Sequence, residues 1–270
     1  MSRRGKAGAI TRLYAVGDVH GRYDLFAQLM RIVSRDQAAR APAATRIVLL
    51  GNIVDHGPQS AEMVRGCMRL TAATDRFVVL RGASESTMVR ALAGDLEAYE
   101  EWLDEGGRAT LRSWGLTRRI TEGPATMEGL RAAATAVGAE TLRWLGRLPL
   151  QLRHGDHLFV HAGIRPGVPL EEQDGADLLW IEDEFLGCDD DHGVVVVHGH
   201  HAESDEPVIL PNRIGIDTGA WRTERLTALG IEDGEAWTLN TASPLMAALR
   251  AARDGGGDGD RAGFGAGAAW

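Results

Sequence analysis

Three short apolar runs stand out near the start of the chain, at 13–16, 47–50 and 77–80, and each empties into a Gly-containing loop. Runs of this length without alternation read as strands buried on both faces. After each one, apolar positions recur at helical spacing, over about 23–35, 60–71 and 84–93. Strand, glycine loop and helix, three times over, is the rhythm of a largely parallel sheet whose functional loops lie at the carboxyl ends of its strands. Residues 95–147 break that rhythm. DLEAYEEWLDEGGRATLRSWG and the Ala-rich stretch 131–146 predict helices separated at Gly106-Gly107, a helical insertion and not a separate domain. Strands return after Pro149, at 158–160, 194–197, 208–210, 214–216, 226–229 and 236–239, with one helix expected over 176–186. One domain over 1–250 is expected. Residues 251–270 form a Gly-rich tail, predicted flexible because it cannot bury enough apolar surface to order.

Composition narrows the classes. Twenty-nine basic against 38 acidic residues leave a net charge of −9, no footprint for nucleic acid or an anionic membrane surface. Two cysteines, Cys67 and Cys188, exclude a disulfide framework or a four-cysteine zinc site and are expected to pack as small apolar groups. No apolar run approaches the ~20 residues of a membrane span. The N-terminus starts basic, but Arg12 interrupts its apolar stretch and no small-residue cleavage site follows, so the chain reads as cytoplasmic.

The chemistry lies in five strand-end loops: Gly17-Asp18-Val19-His20-Gly21, Gly51-Asn52-Ile53-Val54-Asp55-His56-Gly57, Arg81-Gly82-Ala83-Ser84-Glu85, His161-Ala162-Gly163 and His198-Gly199-His200-His201. An Asp-x-His at a strand end sets a carboxylate and an imidazole on one side of a loop, a start for a divalent metal site. Alone it is weak, since Asp at a turn and a satisfied His are common. Five such loops in order are much stronger. Asp24, Glu85 and the acidic run Asp189, Asp190, Asp191 read as solvated loops or caps.

That order resembles the calcineurin-like metallophosphoesterases, in particular the bacterial serine/threonine phosphoprotein phosphatases and their diadenosine-tetraphosphatase relatives. The resemblance spans roughly residues 11–240 and includes FVHAGIRPGVPLEEQD, DLLWIEDEFL, PNRIGIDTGA and WLDEGGRATLRSWG. It implies an α/β fold, a four-layer α/β/β/α sandwich, with a two-metal site where the sheets' loops meet. It also implies metal ligands at Asp18, His20, His161 and His200, and makes Asp55 the partner of the acid histidine. The chain departs from the family at the remaining positions: Asn52 stands for the bridging Asp, His56 for a phosphate-clamping Arg, Ala83 for a metal-binding Asn and Ser84 for the acid His. Glu182 takes the place of a further Arg, His201 that of the Thr in GHT, and Glu105 that of an Asn.

The physical consequences point one way. Two divalent ions ~3.5–4 Å apart repel by about 20 kcal/mol at an effective dielectric near 20, which a neutral amide at Asn52 offsets far less than a carboxylate. Ala83 removes a further ligand, so at most one divalent ion (Mn, Fe or Zn) or none is expected, on Asp18, His20, Asn52, His161 and His200. Loss of a positioned acid costs ~10²–10⁴ in rate, and Glu182 turns a negative charge toward a phosphate. The first expectation is therefore a catalytically impaired phosphatase-fold protein, a protein-binding or regulatory module. The second is an active phosphoesterase on one ion, with Asp55 and His56 as the acid pair and His56 and Glu182 at the substrate. The third is another kind of metal protein, with His198, His200 and His201 joining Asp18 and His20; against it, His201 points away and His198 is a buried strand-end residue. A protein partner is expected, and neither nucleic acid nor membrane; oligomeric state stays open.

Overall fold

The computed structural model describes residues 10–242; the tail expected over 251–270 lies outside the described residues. The predicted rhythm is realised as β1 (Arg12–Val16), α1 (Tyr23–Ala39), β2 (Thr45–Leu49), α2 (Ser60–Ala73), β3 (Phe77–Val79) and α3 (Ala83–Leu92). Between α3 and the later strands lie α4 (Leu96–Trp102), α5 (Arg108–Ser113), α6 (Arg118–Thr121), α7 (Met127–Val137) and α8 (Ala139–Gly146). A π-helical turn, Leu103–Gly107, joins α4 to α5, and Gly106 breaks it at φ 119°. Then follow β4 (Gln151–His154), β5 (His157–Val160), α9 (Gly175–Trp180), α10 (Asp183–Leu186), β6 (Val195–His198), β7 (Val208–Ile209), β8 (Arg213–Gly215), α11 (Ala220–Thr223), β9 (Thr227–Glu232) and β10 (Glu235–Asn240).

These strands make two five-stranded sheets, in the orders β10-β9-β1-β2-β3 and β4-β5-β6-β8-β7. β1, β2 and β3 run parallel in the first sheet, and β5, β6 and β8 in the second; the outer partners are antiparallel. The period-2 alternation of each strand explains the layering. Leu13 and Ala15 of β1 face a core between the sheets with Val48, Phe159, Val197, Ile214 and Leu229. Tyr14 and Val16 face the opposite way, into the core under α1, α2, α3 and the helices after them. Leu158, Val160 and Val196 turn to a third core with Leu178, Ile181 and Phe185 around α9 and α10. Three cores between four layers give the α/β/β/α sandwich. No helix among the described residues is long and apolar enough to cross a membrane.

Two elements differ from the sequence reading. β4 escaped it because Gln-Leu-Arg-His is an edge strand that sends only Leu152 inward. The helix expected over 176–186 is two helices: Ile181 leaves helical geometry at ψ 140° and Glu182 at ψ −110°. Apolar spacing continues across this break through Leu178, Ile181 and Phe185, all buried in one core, so periodicity alone hides it.

One carboxylate oxygen ties the first sheet to its helix layer. Asp36 Oδ2 on α1 accepts from Tyr14 on β1 at 2.5 Å, from Trp237 Nε1 on β10 at 3.1 Å and from Arg40 Nε at 3.0 Å. The Arg40 guanidinium also lies over the Trp237 ring. Tyr14→Phe is expected to lower the unfolding free energy by ~1.5 kcal/mol, the low end for a bond to a charged acceptor because the other two donors stay. Urea unfolding of the two proteins checks it.

Candidate active site

The carboxyl ends of the parallel strands of both sheets meet at one point, and Asp18 sits there, 1% exposed. Its Oδ2 accepts from Asn52 Nδ2 at 2.8 Å and its Oδ1 from the His200 backbone N–H at 3.1 Å. The other end of the Asn52 carboxamide accepts from the Ser84 N–H at 2.8 Å. An amide with a carboxylate on one side and an N–H on the other has only one orientation that works. Loops from β1, β2 and β6 and the start of α3 are thereby joined through two side chains. A Cβ at Gly199 would strike Asp18 Oδ1, so that position admits no side chain. Backbone strain collects at the same place: His20, Asn52, Asp55, His56 and His200 all have φ between 45° and 73°. Non-glycine residues enter that region at a cost of ~1–3 kcal/mol each and persist only where their surroundings over-determine them.

Glu85 supplies much of that over-determination. Read from sequence as a solvated loop or cap, it is fully buried. Its carboxylate does cap α3, taking the Gly82 N–H at 2.8 Å, but it also takes the N–H groups of Asn52, Ile53 and Val54 at 2.9, 2.8 and 3.3 Å. Those four donors offset the burial, which still pushes the carboxyl above its ordinary range. The residue was misread because a capping Glu three positions into a helix is ordinarily wet.

The histidines present lone pairs to the site. His20 Nδ1 donates to the Val54 carbonyl at 3.1 Å and His161 Nδ1 to the Leu50 carbonyl at 2.8 Å, which fixes both tautomers with a bare Nε2. His161 Nε2 is buried and has no hydrogen-bond partner. The His161 and His200 rings lie 4.9 Å apart. Burial holds the imidazoles neutral, pulling His20 down to about 3, His200 to about 4 and His161 well below its usual value. Asp18 is pushed well up by its own burial and by Asp217. Asp217, pushed up by burial to about 6, follows β8 and accepts from the Gly219 N–H at 2.9 Å. It forms a sixth strand-end loop that the sequence reading left out, although an Asp closing the apolar run 214–216 was the signal for it.

Asp55 and His56 do not act together. The Asp55 carboxylate turns inward to Trp102 Nε1 at 3.0 Å and Thr110 Oγ1 at 2.7 Å, with the Ser84 hydroxyl as a further donor, and burial raises it to about 7. His56 turns outward, stacked on Trp221 at 4.5 Å and 14° and meeting the His20 ring edge-on at 4.9 Å. Gly106 packs against both residues. Trp102 and Thr110 lie in the matched stretch WLDEGGRATLRSWG, which gave them no role, and Trp221 had no motif to announce it. Glu182 is exposed beside His201, whose Nε2 is bonded to the Ile181 carbonyl at 2.9 Å. His198 is buried, bonded through Nδ1 to the Gly199 carbonyl and set edge-on to Phe185. Both rings are thus engaged away from Asp18. Ala83 has no side-chain donor to offer.

This geometry agrees with what the chain is similar to. The model of the calcineurin-like phosphoesterase family matches residues 11–222. The chain belongs to that family, whose members use divalent metals. A curated relative, the symmetrical bis(5'-nucleosyl)-tetraphosphatase of Dechloromonas aromatica (strain RCB), is 29% identical over 153 residues, covering 57% of this chain and 44% of the relative. The chain therefore spans less than half the length of that relative. A solved structure provisionally assigned as a diadenosine tetraphosphatase matches with a TM-score of 0.59 at 20% identity, covering 86% of this chain and 95% of the other. A hypothetical protein from Pyrococcus horikoshii OT3 matches with a TM-score of 0.54 at 12% identity, over 90% and 93% of the two chains. At such identities these structures speak for the fold alone.

The residues present do not fit a two-ion centre. The position between the ions is held by a neutral carboxamide whose NH₂ already faces Asp18 and whose oxygen is taken by Ser84 N–H. Among the described residues, no three His, Cys, Asp or Glu side chains converge as a metal-holding group. Two outcomes follow. Chelators are expected to leave the melting temperature unchanged, whereas Asn52→Asp, which sets a third carboxylate beside Asp18 and Asp217, lowers it in metal-free buffer and regains it with Mn²⁺; thermal unfolding with and without the ion reads both. Asp55 supplies a pH dependence. Its folded value of about 7 lies above the unfolded ~3.9, so its contribution is complete below ~4 and is lost as pH rises through 7. Melting curves of the natural protein are expected to fall relative to Asp55→Asn across that window, by up to ~1.4 kcal/mol per pH unit.

Proposed function

We propose that this metallophosphoesterase-fold protein does not hydrolyse phosphoesters and works as a protein-binding or regulatory module, a pseudophosphatase. One observation carries the reading: the Asn52 carboxamide spans Asp18 and the Ser84 N–H, a hydrogen-bonded cross-link where a bridging carboxylate would draw two ions together. The surrounding changes agree with it. Ser84 has no imidazole to protonate a leaving group and gives its hydroxyl to Asp55. No arginine stands at 56 or 182 to hold a phosphate, and the exposed Glu182 carries a charge of the opposite sign. Losses of acid and clamp cost ~10²–10⁴ and ~10²–10³ in rate, and do not simply add. The scaffold around them is intact.

A second reading has one observation in its favour. The bare, buried Nε2 of His161, beside the His200 ring, is what a single divalent ion (Mn, Fe or Zn) would find. In that reading Asp18, His20, Asn52, His161 and His200 are the candidate ligands, and His56 would serve as the acid.

Hydrolysis of an aryl phosphate with added Mn²⁺ separates the two. The natural protein is expected to be silent, and a variant carrying Asn52→Asp, His56→Arg, Ala83→Asn and Ser84→His to gain activity. Turnover by the natural protein that is lost in His20→Ala would establish the single-ion enzyme instead.

A further inference from the structure

We propose that the site receives the ammonium group of a lysine side chain from a partner protein, with Asp18 as its counter-ion. This rests on the binding-module reading above and names the chemistry of the partner.

The floor of the site consists of acceptors. Asp18 is buried, and both hydrogen bonds to its carboxylate come from neutral groups, the Asn52 amide and the His200 N–H. His20 Nε2, 3.8 Å from Asp18 Oδ2, and His161 Nε2 are both lone pairs, because the opposite nitrogen of each ring is committed to a carbonyl. His161 is fully buried, and its Nε2 has no partner at all. A buried carboxylate without a cation, and a buried acceptor without a donor, are both costly. One group that brings positive charge and several N–H bonds relieves both. Arg222, whose charge is felt by His20 and Asp217, lies over Gly219 and donates to the Ala202 carbonyl at 3.0 Å.

The walls suit the same ligand. His20 meets His56 edge-on, His56 stacks on Trp221, and Trp221 is 42% exposed. An exposed indole on this stack attracts a cation and packs its alkyl stem. Geometry selects lysine over arginine. A guanidinium seeks a carboxylate with both oxygens open to its planar fork, and here each Asp18 oxygen already receives an N–H. An ammonium is a compact point charge with three rotatable donors, able to serve Asp18 Oδ2 and His20 Nε2, 3.8 Å apart, together, with His161 Nε2 a further unpartnered acceptor. The chain's single lysine, Lys6, lies outside the described residues.

The test is an NMR titration with Nα-acetyl-lysine N-methylamide, run beside its Nε-acetylated form and the arginine analogue. Saturable shifts of the Trp221 indole N–H and the His161 ring are expected, with a dissociation constant on the order of 1–10 mM. The neutral form should leave them unmoved and the arginine analogue should bind more weakly. Asp18→Asn should weaken binding at least tenfold, and Trp221→Ala, at an exposed position that folding tolerates, by roughly threefold. Lys6→Ala should change nothing; tighter binding by that variant would make Lys6 the natural occupant and overturn the partner assignment. No saturable shift, equal binding of the neutral form, or preference for arginine overturns the proposal. The aryl-phosphate assay on the same sample keeps the two readings apart. Turnover removes the module reading, while a silent enzyme with no lysine shift removes only this inference.

Discussion

Everything at the meeting point of the two sheets depends on where the charge of Asp18 goes. The carboxylate is shut away from water, and burial together with Asp217 makes its ionised form expensive. Loops from both sheets converge on it, so the cost cannot be avoided by moving it outward. The chain meets it with the Asn52 carboxamide and the His200 backbone N–H, two neutral donors that also tie the loops to one another. A metal ion would neutralise the charge and bind the loops at the same time. An amide does the second and only softens the first.

The rest of the site follows from that choice. Glu85 collects four backbone N–H groups and holds the Asn52–Val54 turn in a strained conformation. Asp55 is occupied by Trp102 and Thr110 instead of orienting a ring, and His56 stacks on Trp221. The fold concentrates six strand ends at one place, and what they present is a set of acceptors with the His56–Trp221 stack beside them. Fold does not fix function; what such a frame can do is set by the groups its strand ends present.

Much of this was legible along the chain. Runs such as 13–16 and 47–50 announced strands because burial on both faces leaves no polar alternation, and the loops that follow carried Asp18, His20, Asn52, Ala83, Ser84, His161 and His200 in order. The departures at Asn52, Ala83 and Ser84 are visible as letters, and their chemical meaning follows from the donor and acceptor inventory of each side chain. Glu85 was misjudged because burial is a property of what packs over a residue. The break at Ile181–Glu182 was hidden because both halves of that segment face the same core.

What the sequence determined alone is therefore the order of elements, the identity of the reactive groups and the absence of particular ones, since periodicity and side-chain chemistry are local. Which way each group points was decided only by the tertiary structure. The Asn52 amide could have faced solvent, Asp55 could have oriented His56, and His201 could have joined the site. These choices were made by partners from 20 to 182 residues away, Ser84, Trp102, Thr110, Ile181 and His200 among them, and no short window along the chain contains such pairs.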